Sequence, residues 1–120
     1  MRRLIRCSVV VSILLAGAAI PARADDHGKS KEQNEFGIRV AQNSLWNEAL
    51  YRWQKAVELD PGYAAAWNNL AVAYEHAGKF TDAEKAYKKA LELDPKNLMI
   101  RQNYDLFKEI NDRTKRRSGK

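Results

Sequence analysis

Apolar side chains recur at helical spacing through the middle of the chain and indicate two consecutive helices between residues 64 and 95. The first helix face comprises Trp67, Leu70, Ala71 and Tyr74. The second comprises Phe80, Ala83, Tyr87, Ala90 and Leu91. Gly78 lies between the two runs and can adopt the left-handed conformation that ends a helix, while Pro95 prevents the second helix from continuing. The pattern therefore predicts a helix–turn–helix hairpin.

The same pattern occurs a second time nearer the amino terminus, offset from the first by one constant distance. The sequence KAVELDP at 55–61 returns almost unchanged as KALELDP at 89–95. Matched side chains include Phe36 with Leu70, Ala49 with Ala83, Trp53 with Tyr87, and Ala56 with Ala90. A fixed period with matched small and large residues predicts a repeat array, with repeat one at 30–63 and repeat two at 64–97.

These positions match a known repeat motif. The spacing Trp67-x2-Leu70-Ala71-x2-Tyr74, followed by Ala83-x3-Tyr87 and Pro95, resembles the tetratricopeptide repeat (TPR). The resemblance implies an all-α fold that forms a right-handed α-solenoid fragment. A further helical stripe of Ile100, Tyr104, Phe107 and either Ile110 or Asn111 predicts one capping helix at 98–113. The TPR domain is thus expected to span 34–113, as two full repeats and a cap.

Repeat one departs from the motif in ways that suit a terminal repeat. Gln33 replaces the first aromatic residue and Val40 replaces the tyrosine. Ser44 stands at the position of Gly78 in repeat two. Because asparagine tolerates the left-handed region, we expect Asn43 to end the first helix instead.

Residues 1–24 are typical of a secretory signal peptide. Three arginines at positions 2, 3 and 6 precede an apolar run at 7–20, and Ala22-Arg23-Ala24 forms a small-x-small cleavage site. The run is shorter than the roughly 20 residues that span a bilayer. The sequence therefore predicts cleavage before Asp25, no stable membrane anchor, and a periplasmic or secreted protein.

Cleavage would change the charge and remove the only cysteine. The full chain carries +6, and residues 1–24 contain four arginines and no acidic residue, so the mature chain would carry +2. Cys7 would be lost, which leaves no disulfide or thiol nucleophile. Residues 25–33 are polar and predict a flexible leader, and residues 114–120 predict a basic tail. For an exported protein such a tail is expected to aid solubility or contact an anionic surface, not nucleic acid.

The sequence contains no catalytic or cofactor-binding constellation that we recognise, so we expect a non-enzymatic protein without a cofactor. The TPR resemblance implies instead that the first (A) helices of the repeats line a concave groove for a peptide or partner helix. Carried over by position, the groove residues are Asn34, Ile38, Gln42, Asn68, Asn69, Val72, Glu75, His76, Gln102, Asn103 and Leu106. Asparagine amides can hydrogen-bond a peptide backbone as donor and acceptor. The chain would then act as an adaptor or scaffold.

One TPR subclass grips the terminal carboxylate of its partner with lysine and arginine side chains. Only Asn69 matches that clamp here, because Asn34, Met99 and Asn103 occupy its basic positions. We therefore predict no carboxylate-clamp recognition. An alternative role is a structural module that self-associates, either through Leu50 and Tyr51 on the second helix or through the open end of the first helix.

A second alternative concerns metal. Cleavage before Asp25 would place His27 third from a free amine, in the sequence Asp25-Asp26-His27. The amine, two backbone nitrogens and the imidazole can surround one ion in a plane, which suits Cu(II) or Ni(II). This signal is short and requires one residue at one position, so an incidental histidine in a mobile leader is the simpler explanation.

Overall fold

The computed structural model describes residues 24–119, which contain five α-helices and no strand. The helices are α1 (Ala24–Gln42), α2 (Trp46–Leu59), α3 (Ala64–His76), α4 (Phe80–Leu93) and α5 (Leu98–Ser118). Helix α1 pairs with α2, and α3 pairs with α4; α3 also packs on α2, and α5 packs on α4. This succession of helical hairpins confirms the all-α solenoid predicted from the sequence. Helices α1, α3 and α5 occupy the A position.

Two buried clusters hold the helices together. The first joins α2 to α3 and comprises Ala49, Trp53, Ala56, Val57, Ala66, Leu70 and Ala73. The second joins α3, α4 and α5 and comprises Ala71, Ala83, Ala86, Tyr87 and Phe107. Six alanines at 49, 56, 66, 71, 83 and 90 are fully buried. A methyl side chain lets two helix backbones approach closely, so the periodic alanines explain where the helices meet.

The turn that ends each A helix has the same hydrogen bonds in both repeats. In repeat two, the Gly78 N–H donates to Glu75 O and the Lys79 N–H to Tyr74 O, the pattern of a Schellman motif. In repeat one, the Ser44 N–H donates to Ala41 O with the same geometry. Ser44 adopts φ +61°, close to the +71° of Gly78. The expectation for Asn43 was therefore wrong, and the repeat period identifies the left-handed residue correctly.

Helix α1 begins at Ala24, so the flexible leader predicted at 25–33 is helical. Two acidic residues lie in the first turn, where they interact favourably with the helix dipole. Asp25 also pairs with Lys29 at 2.8 Å, one turn along. Ser30 Oγ donates to Ala56 O at 2.8 Å and is fully buried. Polar contacts with α2 thus stabilise a segment that has no apolar periodicity.

Helix α5 continues to Ser118, beyond the predicted end of the cap at residue 113, and includes most of the predicted basic tail. Glu109 pairs with Arg113 one turn along, which supports the helix past its last buried residue. Basic residues in the last turn also favour the carboxyl end of a helix. The tail is therefore an ordered, charged helix end.

The predicted signal peptide lies outside the described residues, apart from Ala24. Among the helices of residues 24–119, none combines the length and apolarity needed to cross a membrane.

Candidate partner-binding groove

Two pairs of asparagines join consecutive A helices. The amide of Asn69 donates to Asn34 Oδ1 at 2.9 Å, and that of Asn103 donates to Asn68 Oδ1 at 3.2 Å. In both pairs the two asparagines are 35 residues apart in the sequence, so the same contact recurs in each repeat. Asn34 and Asn68 are only 5% and 2% exposed. These two predicted groove residues are therefore structural, whereas Asn69 and Asn103 are half-buried at the surface.

The accessible part of the A-helix groove consists of two rows of side chains that follow the repeat. One row is Ile38, Val72 and Leu106; the other is Gln42, His76 and Ile110. Ile38 is 38% exposed and Leu106 57%. The predicted residue Gln102 is also exposed. Ile110, one of the two residues expected to complete the packed stripe of the capping helix, is instead 51% exposed at the groove. It lies one repeat period after His76, and that spacing identifies it as a groove residue.

A shallow pocket opens between the two rows in repeat one. It has a volume of about 310 Å³ and is lined by Ile38, Ala41, Gln42, Trp46, Trp53 and Asn69. We call it the repeat-one pocket. Its walls are mostly apolar, and no charged side chain lines it. Their repeat positions predict only a packing role for Trp46 and Trp53, because the exposed edge of a packed ring leaves no signal in the periodic pattern.

The matching place in repeat two is arranged differently. Glu75 replaces Ala41 and Tyr87 replaces Trp53. The Tyr87 hydroxyl donates to Glu75 Oε2 at 2.5 Å, so the predicted groove residue Glu75 is engaged within its own repeat. Burial raises the pKa of the Tyr87 phenol, and the adjacent Glu75 carboxylate raises it further. Repeat two therefore has a hydrogen-bonded pair where repeat one has open apolar walls.

His76 supports one wall of the repeat-one pocket. Its ring stacks on the indole of Trp46, with 3.4 Å between centroids and 9° between planes. Trp46 begins α2 and His76 ends α3, so the stack connects the two hairpins. The stack favours the observed orientation of the indole, which reduces the ordering that a ligand would require.

The predicted metal-binding segment lies in the first turn of α1. His27 Nδ1 lies 2.5 Å from Asp60 Oδ2, and the His27 ring contacts Tyr63 edge-on at 5.4 Å. Planar copper coordination uses the backbone nitrogens of Asp26 and His27, so it would require this helical turn to unwind. Within residues 24–119 no group of three or more His, Cys, Asp or Glu side chains could hold a metal. That finding concerns side-chain ligands only. The predicted Cu(II) or Ni(II) site uses backbone nitrogens and therefore stays a prediction.

The two surfaces considered for self-association carry cations. Tyr51 is 49% exposed, but Arg52 and Lys55 lie 5.4 and 5.8 Å from its ring centroid. At the open end of α1, the guanidinium of Arg52 covers Phe36 at 4.2 Å and that of Arg39 lies 5.4 Å away. Neither surface is a bare apolar patch.

Family models match the chain in two stretches: one described as "Tetratricopeptide repeat" matches residues 64–97, and one described as "TPR repeat" matches residues 40–78. The chain carries tetratricopeptide repeats. The first match coincides with the predicted repeat two. Among solved structures, the TPR domain of Arabidopsis OM64 aligns with a TM-score of 0.68 and 26% identity, covering 75% of this chain and 74% of that one.

Curated relatives share the repeat within longer proteins. The chloroplastic TPR protein PYG7 of Arabidopsis thaliana is 33% identical over 85 residues, covering 71% of this chain and 28% of PYG7. Small glutamine-rich TPR-containing protein 2 of Mycosarcoma maydis is 31% identical over 101 residues, covering 78% of this chain and 28% of that protein. The human O-mannosyl-transferase TMTC1 is 30% identical over 67 residues, 56% of this chain, but only 8% of that enzyme is covered. The chain thus spans less than a third of these relatives. TPR domains are typically non-catalytic and generally mediate protein–protein interaction.

Proposed function

We propose that the protein is an exported adaptor that binds a peptide segment of a partner protein in the A-helix groove. The observation that carries the proposal is the aliphatic row of Ile38, Val72 and Leu106, repeated on all three A helices and left at least partly exposed. A surface with no partner could carry polar side chains at each of these positions.

The groove favours an extended segment over a helix. Neighbouring packed helices lie about 8–10 Å apart, which matches one turn of a polyproline II segment, whose three residues rise about 3.1 Å each and return the side chain to the same face. A segment that crosses the A helices would therefore place every third side chain over the aliphatic row. Amide side chains beside the row, at Gln42, Asn69, Gln102 and Asn103, can bond the backbone of an extended chain. A helical ligand already uses its backbone groups internally.

A displayed library of random nine-residue peptides, selected on the immobilised protein, tests this proposal. We expect peptides with apolar residues three positions apart, and we expect Leu106→Glu to abolish their binding. Tyr51→Glu is the matched control, because Tyr51 is 49% exposed and lies on α2, outside both rows of the groove and outside the repeat-one pocket. Peptides that bind both variants as well as the unmodified protein would place the binding surface elsewhere.

Export is the second part of the proposal and rests on the composition of residues 1–24. Amino-terminal sequencing of the protein recovered from cells should give Asp25 as the first residue. Retention of Met1 on membrane-associated protein would contradict export as a cleaved protein.

A further inference from the structure

The two repeats differ in the lining of the repeat-one pocket, and the difference arises from two positions. Ala41 leaves space where Glu75 fills it in repeat two, and Trp53 presents an indole where Tyr87 presents a hydroxyl bonded to that glutamate. The other lining residues of repeat one, Ile38, Gln42 and Trp46, correspond to Val72, His76 and Phe80 in repeat two. A cavity of about 220 Å³ at the equivalent place in repeat two is lined by Glu75 and His76, so the apolar lining, and not the concavity itself, is particular to repeat one.

The chemistry of the pocket restricts what it can hold. Its volume of about 310 Å³ is at the small end for ligand sites, which suits one side chain better than a whole small molecule. Four lining residues, Ile38, Ala41, Trp46 and Trp53, offer carbon surface. A charged group placed there would lose hydration without gaining a counter-ion, because no charged side chain lines the pocket. An uncharged apolar side chain would instead displace water from the indole rings.

The polar groups at the pocket are amides, and they are placed to hold a peptide backbone. Gln42 is exposed and Asn69 is half-buried. Asn69 uses one amide hydrogen on Asn34, which leaves its carbonyl oxygen and second hydrogen for a ligand. The Trp46 wall is already held by the His76 stack, so little ordering is required on binding.

Resting on the proposed groove function, we propose that the repeat-one pocket is the anchor subsite of the groove. It takes one large, uncharged apolar side chain of the bound segment, such as Phe, Leu or Met. The aliphatic row beyond it then sets the register of the remaining residues. One residue of the bound segment would thus have to be a large apolar residue, whereas the residues at its other positions could vary more widely.

The test uses peptides selected on the unmodified protein and measures their affinity for variants by fluorescence polarisation. Ala41→Glu and Ala41→Gln both fill the pocket, one with a charge and one without. Asn47→Glu adds the same charge at an exposed position outside the pocket. We expect each Ala41 variant to lose at least about tenfold in affinity, and Asn47→Glu to retain it. Replacing the anchor residue of the peptide by alanine should lower its affinity for the unmodified protein by a similar factor. The same replacement should not lower the affinity for the Ala41 variants any further, because their pocket is already filled.

A second readout locates the bound residue. In a ¹H–¹⁵N spectrum the indole N–H signal of Trp46 should shift on peptide binding, whereas that of Trp53, which donates to Asn34 O at 3.2 Å in the buried helix contact, should move less. Trp67 is the internal reference, because its indole N–H is bonded to Pro61 O outside the pocket. If both Ala41 variants bind peptides like the unmodified protein while Leu106→Glu does not, the anchor inference is overturned and the groove function stands. If Leu106→Glu also binds normally, or no peptide is selected, the groove function itself fails.

Discussion

Gly37 sets the distance between α1 and α2, because a methyl group at this position has no space. A Cβ atom there would lie 2.6 Å from Trp53 Nε1, below any normal contact distance. The equivalent pair in repeat two is Ala71 with Tyr87. The smaller residue thus accompanies the larger ring, and the two repeats reach similar packing with different side chains.

We expect Gly37→Ala to lower the free energy of unfolding by about 1–3 kcal/mol, even though alanine favours a helix over glycine. Gly28→Ala is the matched control, since nothing lies within 4 Å of a Cβ at that position of the same helix. The control should be neutral or stabilising by up to about 1 kcal/mol. Urea unfolding measures both variants. Equal stability of the two would show that Trp53 moves aside without cost.

Tyr87 should make the protein sensitive to alkaline pH. Its phenol has a raised pKa in the folded protein, because of burial first and the Glu75 carboxylate second, while the unfolded chain titrates near 10.0. Above that pH the unfolded state loses a proton that the folded state keeps, so the free energy of unfolding falls as pH rises. Below that pH both states keep the phenol proton, so the contribution of Tyr87 to the free energy of unfolding is fully present.

Tyr87→Phe removes this titration, although it also loses the hydrogen bond to Glu75, at a cost of about 1 kcal/mol. Urea midpoints measured from about pH 8 to about pH 11 should therefore converge as pH rises, since only the unmodified protein loses the Tyr87 contribution. Parallel curves for the two proteins would contradict the assignment.

At the scale of a helix, α5 has one face packed on repeat two and another open to the groove. Phe107 is 2% exposed, whereas its neighbour Leu106 is 57% exposed. Phe107→Ala should cost about 3–5 kcal/mol, because it leaves a cavity against Tyr87 and α4. Leu106→Ala should change stability by less than about 0.5 kcal/mol. Urea unfolding compares the pair, and a similar loss in both would mean that α5 packs in a different register.

The helix pattern was readable from the sequence because alanines at helix contacts recur one repeat period later, as Ala49 does at Ala83 and Ala56 at Ala90. The ends of the array were not readable in the same way. The first turns of α1 are ordered by polar contacts between residues distant in sequence, namely His27 with Asp60 and Ser30 with Ala56. Periodicity reports only apolar burial, so it predicted a leader where a helix lies.

The groove was predictable only in part, for a related reason. Ile38, Val72 and Leu106 follow from the repeat, and all three are at least partly exposed. Asn34 and Asn68 occupy equivalent positions, yet they are buried by amide pairing with the next A helix. Sequence spacing places a residue on a helix face, but the neighbouring helix decides whether that face is open.

At the scale of the whole molecule, the two ends of the array carry charged side chains. The ends are formed by α1 and α5, and the equivalent positions of the central helix α3 are buried alanines. Ala66 and Ala73 of α3 are buried against α2, and the equivalent positions in α1 are Glu32 and Arg39. Ala71, buried against α4, has Asp105 as its equivalent in α5. Stacking one copy on the end of another would remove these charges from water, including the Asp105–Lys108 pair, at a desolvation cost.

We therefore expect the purified protein to sediment as a monomer, with the A-helix groove left open for a ligand. Sedimentation velocity over a range of concentrations checks this expectation. A stable dimer would contradict it, and Leu106→Glu would then locate the contact. If that variant restored a monomer, the second copy would occupy the groove and compete with peptides. If the dimer persisted, the charged end faces or the Leu50 and Tyr51 surface would have to pair despite the cations beside them.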